Sequence, residues 1–561
     1  MFLRVQKTGG RQYLLLVENQ WVEGKVRQRV LHRLGRLEQL QASGELDRLM
    51  LSMQRFSEKL AVLGAVSDRA PLMTSAKKIG PVLVFERLWR EAGLPELLGE
   101  LLQERKFEFA VERAVFLTVL HRLMAPTLGG SDRAAEKWRD DYLISGVEGL
   151  ALHHLYRAMA WLGQALPGEA QRDATHPGGR CVKDLIEEKL FARRRDLFTD
   201  LSLVFFDTTS IYFEGEGGDS LGQYGFSKDH RPDRKQMIVG VVLAQDGTPI
   251  CSELWPGNVS DVTTLLPVIK RLRGRFGIAQ VCIVADRGMI SAQTIETIET
   301  KYPDLKYILG ARMRSDHEVR DVALGWPGRY QQVHGPRQKS KDPSPLKVKN
   351  VSFIDEQGRK RRYIVCHNEE QAAKDRADRE AILAALKDQL KRGDKALVGN
   401  KGYRKYLKTA RRQFQIDRQK VQDEARFDGK WVLRTNGEQA SAADVALRYK
   451  DLWMVESIFR SMKSLLETRP IYHRCDETIR GHVFCSFLAL VLRKPLQDRL
   501  AEQGLVAEWA RLLHDLDGLM QMALTIGEKR YHLRSETQGL VGQVFGACRL
   551  ALPPTIREAD E

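Results

Sequence analysis

Two apolar periods divide this chain. Residues 201–213 include Leu203-Val-Phe-Phe206 and Ser210-Ile-Tyr-Phe213, near-continuous apolar and aromatic runs that predict a buried strand. Similar runs predict strands at 236–245, 249–255, 281–286 and 306–311, with helices at 261–275 and 291–301 between them. Gly288 permits the turn into the second of these helices, and Ser291 is its expected cap. Residues 79–165 carry the helical period instead, most clearly in Val82–Trp89 and Ala110–Leu120. Near the start, Gln12–Glu18 and Lys25–Leu34 flank Gly24, which predicts a basic hairpin, followed by a helix over 44–65.

The stretch Tyr449-Lys-Asp-Leu-Trp-Met-Val-Glu456-Ser-Ile-Phe-Arg460-Ser-Met-Lys463 predicts one helix with a mixed-charge face. Residues seven apart drift only about 20° around a straight helix, so Tyr449, Glu456 and Lys463 line one stripe. Arg460 lies beside them, and Met454, Ile458, Phe459, Met462 and Leu465 form the core-facing arc. Such charge spacing is also that of an ordinary solvated salt-bridge lattice.

Two further acids change the weighing. Asp207 interrupts the apolar strand at 201–213, where a lone carboxylate is costly unless paired or bound to metal. Asp286 ends the strand Val281-Cys-Ile-Val-Ala285, a place where Asp also serves simply as a turn residue. Glu467 competes with Glu456 for the stripe, but eleven residues on it would sit roughly 16 Å further along the axis. Glu214 and Glu216 compete with Asp207, and fall in the Gly-rich loop Glu214–Asp219.

Two strand acids and one helix acid, in that order, resemble the DDE transposases of the insertion-sequence type. The likeness is to the IS-four-like group, whose third acid sits in a Tyr-x2-Arg-x3-Glu-x6-Lys helix. Tyr449, Glu456 and Lys463 fit that signature; its Arg position is Leu452, and Arg460 is the candidate substitute cation. Tyr224-Gly-Phe-Ser-Lys228, Trp255-Pro-Gly-Asn258 with Asp261 and Thr264, and Arg469-Pro-Ile-Tyr-His473 with Arg480-Gly-His482 resemble further segments of the group, over about 200–495. The resemblance implies an α/β, RNase H-like catalytic core, with a mixed five-stranded sheet flanked by helices and interrupted by a β-rich insertion. It implies that Asp207, Asp286 and Glu456 hold two Mg²⁺ or Mn²⁺ ions and are the catalytic residues. Two such ions activate a water and relieve charge on the leaving oxygen. It implies DNA contacts at Tyr449, Arg460, Lys463 and Lys228. In the insertion, Trp431 is either a stacking aromatic or a core residue. His473 and His482 are either phosphate contacts or structural.

Composition agrees with a polyanionic partner. The 561 residues hold 89 Lys+Arg against 73 Asp+Glu, a net charge of +16; many basic proteins bind nothing specific, so charge alone adds little. The seven cysteines are dispersed and include no Cys-x-x-Cys pair, which argues against structural zinc and a disulfide framework. No apolar run is long enough to span a bilayer and no leader pattern opens the chain, so a cytoplasmic protein with no membrane partner is expected.

The expected organisation is a basic β-hairpin and helix (1–70), then a helical, DNA-binding region (71–199). The core's first part (200–311), the β-rich insertion (312–445) and the segment with the Glu456 helix (446–495) follow, then a helical C-terminal tail (496–561). Inside the insertion, strands are expected at 351–354, 361–366, 395–399 and 430–434, and a charged helix at 368–391. The function expected is cut-and-paste transposition: a homodimer holding double-stranded DNA, both terminal inverted repeats and target. Alternatives are an RNase H-like nuclease that cuts without joining, and a non-catalytic DNA-binding derivative.

Overall fold

The computed structural model describes residues 1–22, 25–53, 72–128, 132–167, 179–194, 203–278, 281–391, 405–410, 413–526 and 529–559. They form two compact units. One comprises Met1–Arg87, Lys137–Ser145 and Arg499–Glu561, the other Leu88–Glu136 and Gly146–Asp498.

In the first unit, Phe2–Thr8, Arg11–Val22 and Lys25–Arg36 pair antiparallel, one strand more than the expected hairpin. Helices Leu37–Ala42 and Glu45–Met53 follow; the rest of the helix expected over 44–65 lies outside the described residues. A second sheet has the order Ile556–Glu558, Lys529–Arg534, Met520–Ile526, Leu72–Lys78. This corrects the helical tail expected over 496–561. That region has helices Trp509–Asp517 and Val541–Ala547, but three strands as well. Met520–Ile526 is a strand because it pairs with Leu72–Lys78, from the far end of the sequence, a long-range contact to which periodicity is blind.

The second unit is built on a nine-stranded sheet. Its strands are β1 (Leu203–Tyr212), β2 (Gln236–Ala244), β3 (Pro249–Pro256), β4 (Cys282–Ala285), β5 (Lys306–Gly310), β6 (Gln331–His334), β7 (Leu346–Ile354), β8 (Lys360–His367) and β9 (Lys430–Thr435). Their spatial order is β6-β7-β8-β9-β5-β4-β1-β2-β3. β1, β4 and β5 run parallel; β2 and β3 extend them antiparallel on one side. The five expected core strands are all here. The insertion's strands continue the same sheet, because β9 pairs with β5 through Leu433↔Gly310 to Thr435↔Ile308. The residues of the strand expected at 395–399 are not among those described.

Helix α1 (Val182–Arg194) precedes β1. α2 (Leu265–Gly274) and α3 (Ala292–Lys301) cover one face of the core strands, and Ser291 caps α3 by accepting from the Thr294 amide at 3.0 Å. Under them Phe206, Val242, Trp255, Leu272, Ile283, Ala285 and Leu309 form the core. A separate cluster, including Val319, Val351, Tyr363, Val365 and Val432, lies under the added strands. The charged helix expected at 368–391 is α4 (Glu369–Lys391).

α1, β3 and α2 are joined by a buried ionic cluster. Arg271 of α2 reaches Asp184 (2.8 Å) and Glu187 (2.5 Å) of α1, and also pairs with Glu253 of β3. Lys183 lies 2.7 Å from Asp184 and donates to the Ser252 carbonyl at 2.9 Å. Ser252 donates to Glu187 through both amide (2.9 Å) and hydroxyl (2.7 Å). Two cations face three carboxylates, and burial pushes the Glu187 carboxyl up. Removing one partner of a buried ion pair strands the others. Arg271→Ala should therefore lower unfolding free energy by about 3–5 kcal/mol, measured by denaturant titration. A loss within about 1 kcal/mol, the scale of surface pairs, would show that the cluster does not hold these elements together.

Candidate active site

The site starts from strand register. β1 and β4 pair in parallel through Leu203↔Cys282 to Phe206↔Ala285. The next residue on each strand is an acid, Asp207 and Asp286. Adjacent strands run about 4.8 Å apart, and side chains alternate between faces. Phe206 and Ala285 point into the core under α2 and α3. Asp207 and Asp286 therefore point together to the opposite face.

That face is crossed by the segment carrying the third acid, but not as one helix. α5 (Ala442–Lys450) ends at a turn, α6 (Trp453–Arg460) follows, and Ser461–Leu465 widens into a π-helical turn. The continuous helix expected from Tyr449 to Lys463 is thus broken at Asp451–Leu452. Leu452, Val455, Phe459 and Met462 are buried, and α6 packs on β1 and β2. Glu456 is exposed on α6. Glu467 is off the helix altogether, in a left-handed conformation (φ 43°), so it does not share the stripe with Glu456.

The two ends of this segment are tied down around Asp207. The Tyr449 hydroxyl donates to Asp286 Oδ1 at 2.9 Å, and burial together with Asp286 pushes its own ionisation up. Gly310 of β5 makes this contact possible, since a Cβ there would run into the Tyr449 hydroxyl. At the other end Lys463 Nζ lies 2.6 Å from Asp229 Oδ1, an oxygen shared with Arg469 at 2.6 Å. Asp229 follows Lys228, whose ammonium donates to the Thr208 carbonyl (2.8 Å) and hydroxyl (3.0 Å) and lies 3.0 Å from Asp261 Oδ2.

Asp261 is the site residue that sequence reasoning left inside a turn motif. Its Oδ1 accepts from the Thr208 hydroxyl at 2.8 Å, and with Asp286 it raises the Asp207 ionisation. The Thr-Thr following Asp207 was the available signal. The competing acids are engaged elsewhere, Glu214 with Arg234 (2.9 Å) and Glu216 with Lys235 (2.6 Å). Arg460 is exposed at the end of α6. Trp431 is half-buried on β9, opposite Cys366; Trp453 at the start of α6 is 60% exposed. His482 is buried, within 3.0 Å of the Thr468 carbonyl through Nε2 and 2.8 Å from Arg122 through Nδ1, which favours the structural reading. Among the described residues no three His, Cys, Asp or Glu side chains converge at metal-holding distance, and no helix is long and apolar enough to cross a membrane.

Residues 199–492 match the transposase DDE domain, and residues 3–66 match the N-terminal domain of IS1634 family transposases. The chain belongs to the DDE transposases of the insertion-sequence type. No curated protein sequence matches it significantly. Among solved structures it is similar to a piggyBac transposase synaptic complex with hairpin DNA, at 9% identity over 80% of this chain and 81% of that one, with a TM-score of 0.36.

Burial pushes the Asp207 carboxyl up to about 7, with Lys228 opposing and the neighbouring acids adding to the rise. An unfolded Asp titrates near about 3.9. A raised folded pKa contributes stability that is complete below the unfolded value and lost as pH climbs through the folded one. Metal-free protein should accordingly lose melting temperature between about pH 4 and pH 7, and Asp207→Asn should flatten that part of the profile. Parallel profiles for wild type and variant would refute the raised ionisation.

Proposed function

We propose that this chain is the transposase of an insertion sequence. It binds the element's terminal inverted repeats, cuts DNA strands with divalent metal ions, and joins the freed 3′ ends to target DNA. The observation carrying this reading is the placement of Asp207, within β1, beside Asp286, just past the end of the parallel strand β4, with Tyr449 donating to Asp286. The order β3-β2-β1-β4-β5, with β2 alone reversed against both its neighbours, supports an RNase H-like core.

Asp207 and Asp286 suit Mg²⁺ or Mn²⁺, hard ions that take carboxylate oxygens. Their adjacency is consistent with a bound cation, because Asp207 and Asp286 beside a third carboxylate, Asp261, leave a negative excess that the one ammonium of Lys228 only partly offsets. Glu456 is assigned as the third ligand. Its neighbours seven residues either way, Tyr449 and Lys463, are fixed at Asp286 and Asp229, and α6, which carries it, packs on β1, the strand of Asp207. When bound, the ions supply an activated water and charge relief on the leaving oxygen. The protein's own part is to orient the acids. Tyr449 sets Asp286, while the Thr208 amide donates to Asp207 Oδ1 at 2.7 Å and fixes its rotamer.

Lys463 and Arg469 share one carboxylate, Asp229, leaving an excess positive charge for a phosphate. Arg460, exposed beyond Glu456, is a second phosphate contact, and Lys228 steadies the strand beneath them. The reading takes residues 1–70 and 71–199 as end-binding regions, 200–311 with 446–495 as the catalytic core, and 312–445 as an insertion that holds DNA. It acts as a homodimer in the cytoplasm.

Asp207→Asn should abolish nicking of end-bearing DNA in Mg²⁺ or Mn²⁺ while leaving end binding within about twofold, since a ligand to metal is not a ligand to DNA. Equal loss of both would remove Asp207 from catalysis. A wild-type protein that nicks but never joins 3′ ends to a target would be a nuclease only. Lys463→Ala should reduce the slope of log affinity against log salt by about one; an unchanged slope takes it off the list of phosphate contacts.

A further inference from the structure

β4 and β5 run parallel to β1, and two arginines stand where they end. Arg287 directly follows Asp286, and Arg312 lies two residues past the end of β5. Arg312 is laid onto the turn after Asp286. Its Nε donates to the Arg287 carbonyl at 3.2 Å and its Nη2 to the Gly288 carbonyl at 3.4 Å. Both acceptors are neutral, and three of the five guanidinium N–H groups remain for a ligand. Arg287 is exposed, and its side chain has neither a hydrogen bond nor an ion pair among the described residues. Nearby arginines differ: Arg314 pairs with Glu424 (3.2 Å), Arg361 with Asp355 (2.8 Å) and Arg434 with Glu299 (3.1 Å). A guanidinium without a carboxylate suits a phosphate, whose oxygens match its planar fork.

Their place along the site matters as much as their charge. A Cβ on Gly310 would meet both the Tyr449 hydroxyl and the Arg287 backbone nitrogen, so these groups converge at one point. Burial and Asp286 raise the Tyr449 ionisation, and the Arg287 charge opposes that rise. Lys463 and Arg469, assigned above to a phosphate, close the other end of the segment, beyond α6, which packs on β1 and β2. Cationic sites therefore stand at both ends of the stretch that carries Glu456.

Cutting needs one DNA, whereas joining needs two. In joining, the 3′ oxygen of the cut end bonds to a target phosphorus as that phosphorus releases the target's own 3′ oxygen. A proton leaves the attacking hydroxyl for solvent, and one returns to the leaving oxygen. The displacement is in line, so attacking and leaving groups lie on opposite sides of the phosphorus. The element end and the target must reach the acids from two directions.

We propose that Arg287 and Arg312 hold a backbone phosphate of the target DNA, while the Lys463–Arg469 end of the site holds the element's own end. This rests on the joining reading above and adds to it where the second duplex lies.

The test uses the full chain in Mg²⁺ with two reactions. One is nicking of a duplex cut from the element's end; the other is joining of a pre-cut end, with its free 3′ hydroxyl, to a supercoiled plasmid. Arg287→Gln should lower joining about tenfold relative to nicking, and Arg287→Lys should recover most of that loss. Because the Arg287 side chain supports nothing in the fold, its replacement leaves the acids in place. Equal loss of both reactions would make Arg287 a contact of the element's end, and no loss of either would remove it from the site; both results overturn the assignment. Without metal, Arg287→Gln and Arg312→Gln should each reduce the slope of log affinity against log salt for a duplex lacking element ends by about one. An unchanged slope strikes that residue from the contact. The two readings fail separately. Wild-type protein that never cuts or joins sinks the proposed function, whereas normal joining by Arg287→Gln sinks only the target site.

Discussion

The parallel pairing of β1 with β4 is the constraint from which the rest of the site follows. Strand pairing fixes side chains in steps of one residue, and a slip by one would turn every side chain to the other face. Here the register is locked by apolar neighbours: Phe206 and Ala285 belong to the core under α2 and α3. The same lock aims Asp207 and Asp286 away from that core, onto the face crossed by α5 and α6. The hydrophobic effect thus positions the carboxylates, although neither acid benefits from it. Burial first, and the neighbouring acids after it, raise the ionisation of Asp207, and the protein tolerates this because the register that causes both is held by buried apolar area.

Around that pair the chain adds polar ties to the packing of α6 on β1 and β2. Tyr449 on Asp286, Thr208 on Asp261 and Lys463 on Asp229 each join segments far apart in sequence. The break at Asp451–Leu452 belongs to the same logic. A straight helix from Tyr449 to Lys463 would keep its stripe on one line, whereas the sheet beneath is twisted. Ending α5 and restarting as α6 lets α5 lie on β4, β5 and the added strands while α6 lies on β1 and β2.

Much of this was legible in the sequence, for local reasons. β1 to β5 were visible because they are apolar runs bounded by turns, and the Ser291 cap because capping is a local hydrogen bond. Asp207 and Asp286 stood out as carboxylates in apolar surroundings. What escaped notice depends on partners distant in the chain. The union of β9 with β5, the strand Met520–Ile526 and the place of Asp261 are decided by residues that periodicity does not connect. Trp431 and Trp453 look alike as letters; only burial separates a half-covered ring from an exposed one.

The sheet joining Leu72–Lys78 to Met520–Ile526 brings together early and late parts of the chain. Chains emerge from the ribosome N-terminus first, and domains fold as units as they appear. Leu72–Lys78 must therefore wait, its edge unpaired, while the strands of the nine-stranded sheet are all synthesised before its partner. A nascent or prematurely terminated product ending before Met520 carries every candidate catalytic acid but cannot complete this sheet, so the pairing of Leu72–Lys78 reports whether synthesis has passed Met520–Ile526.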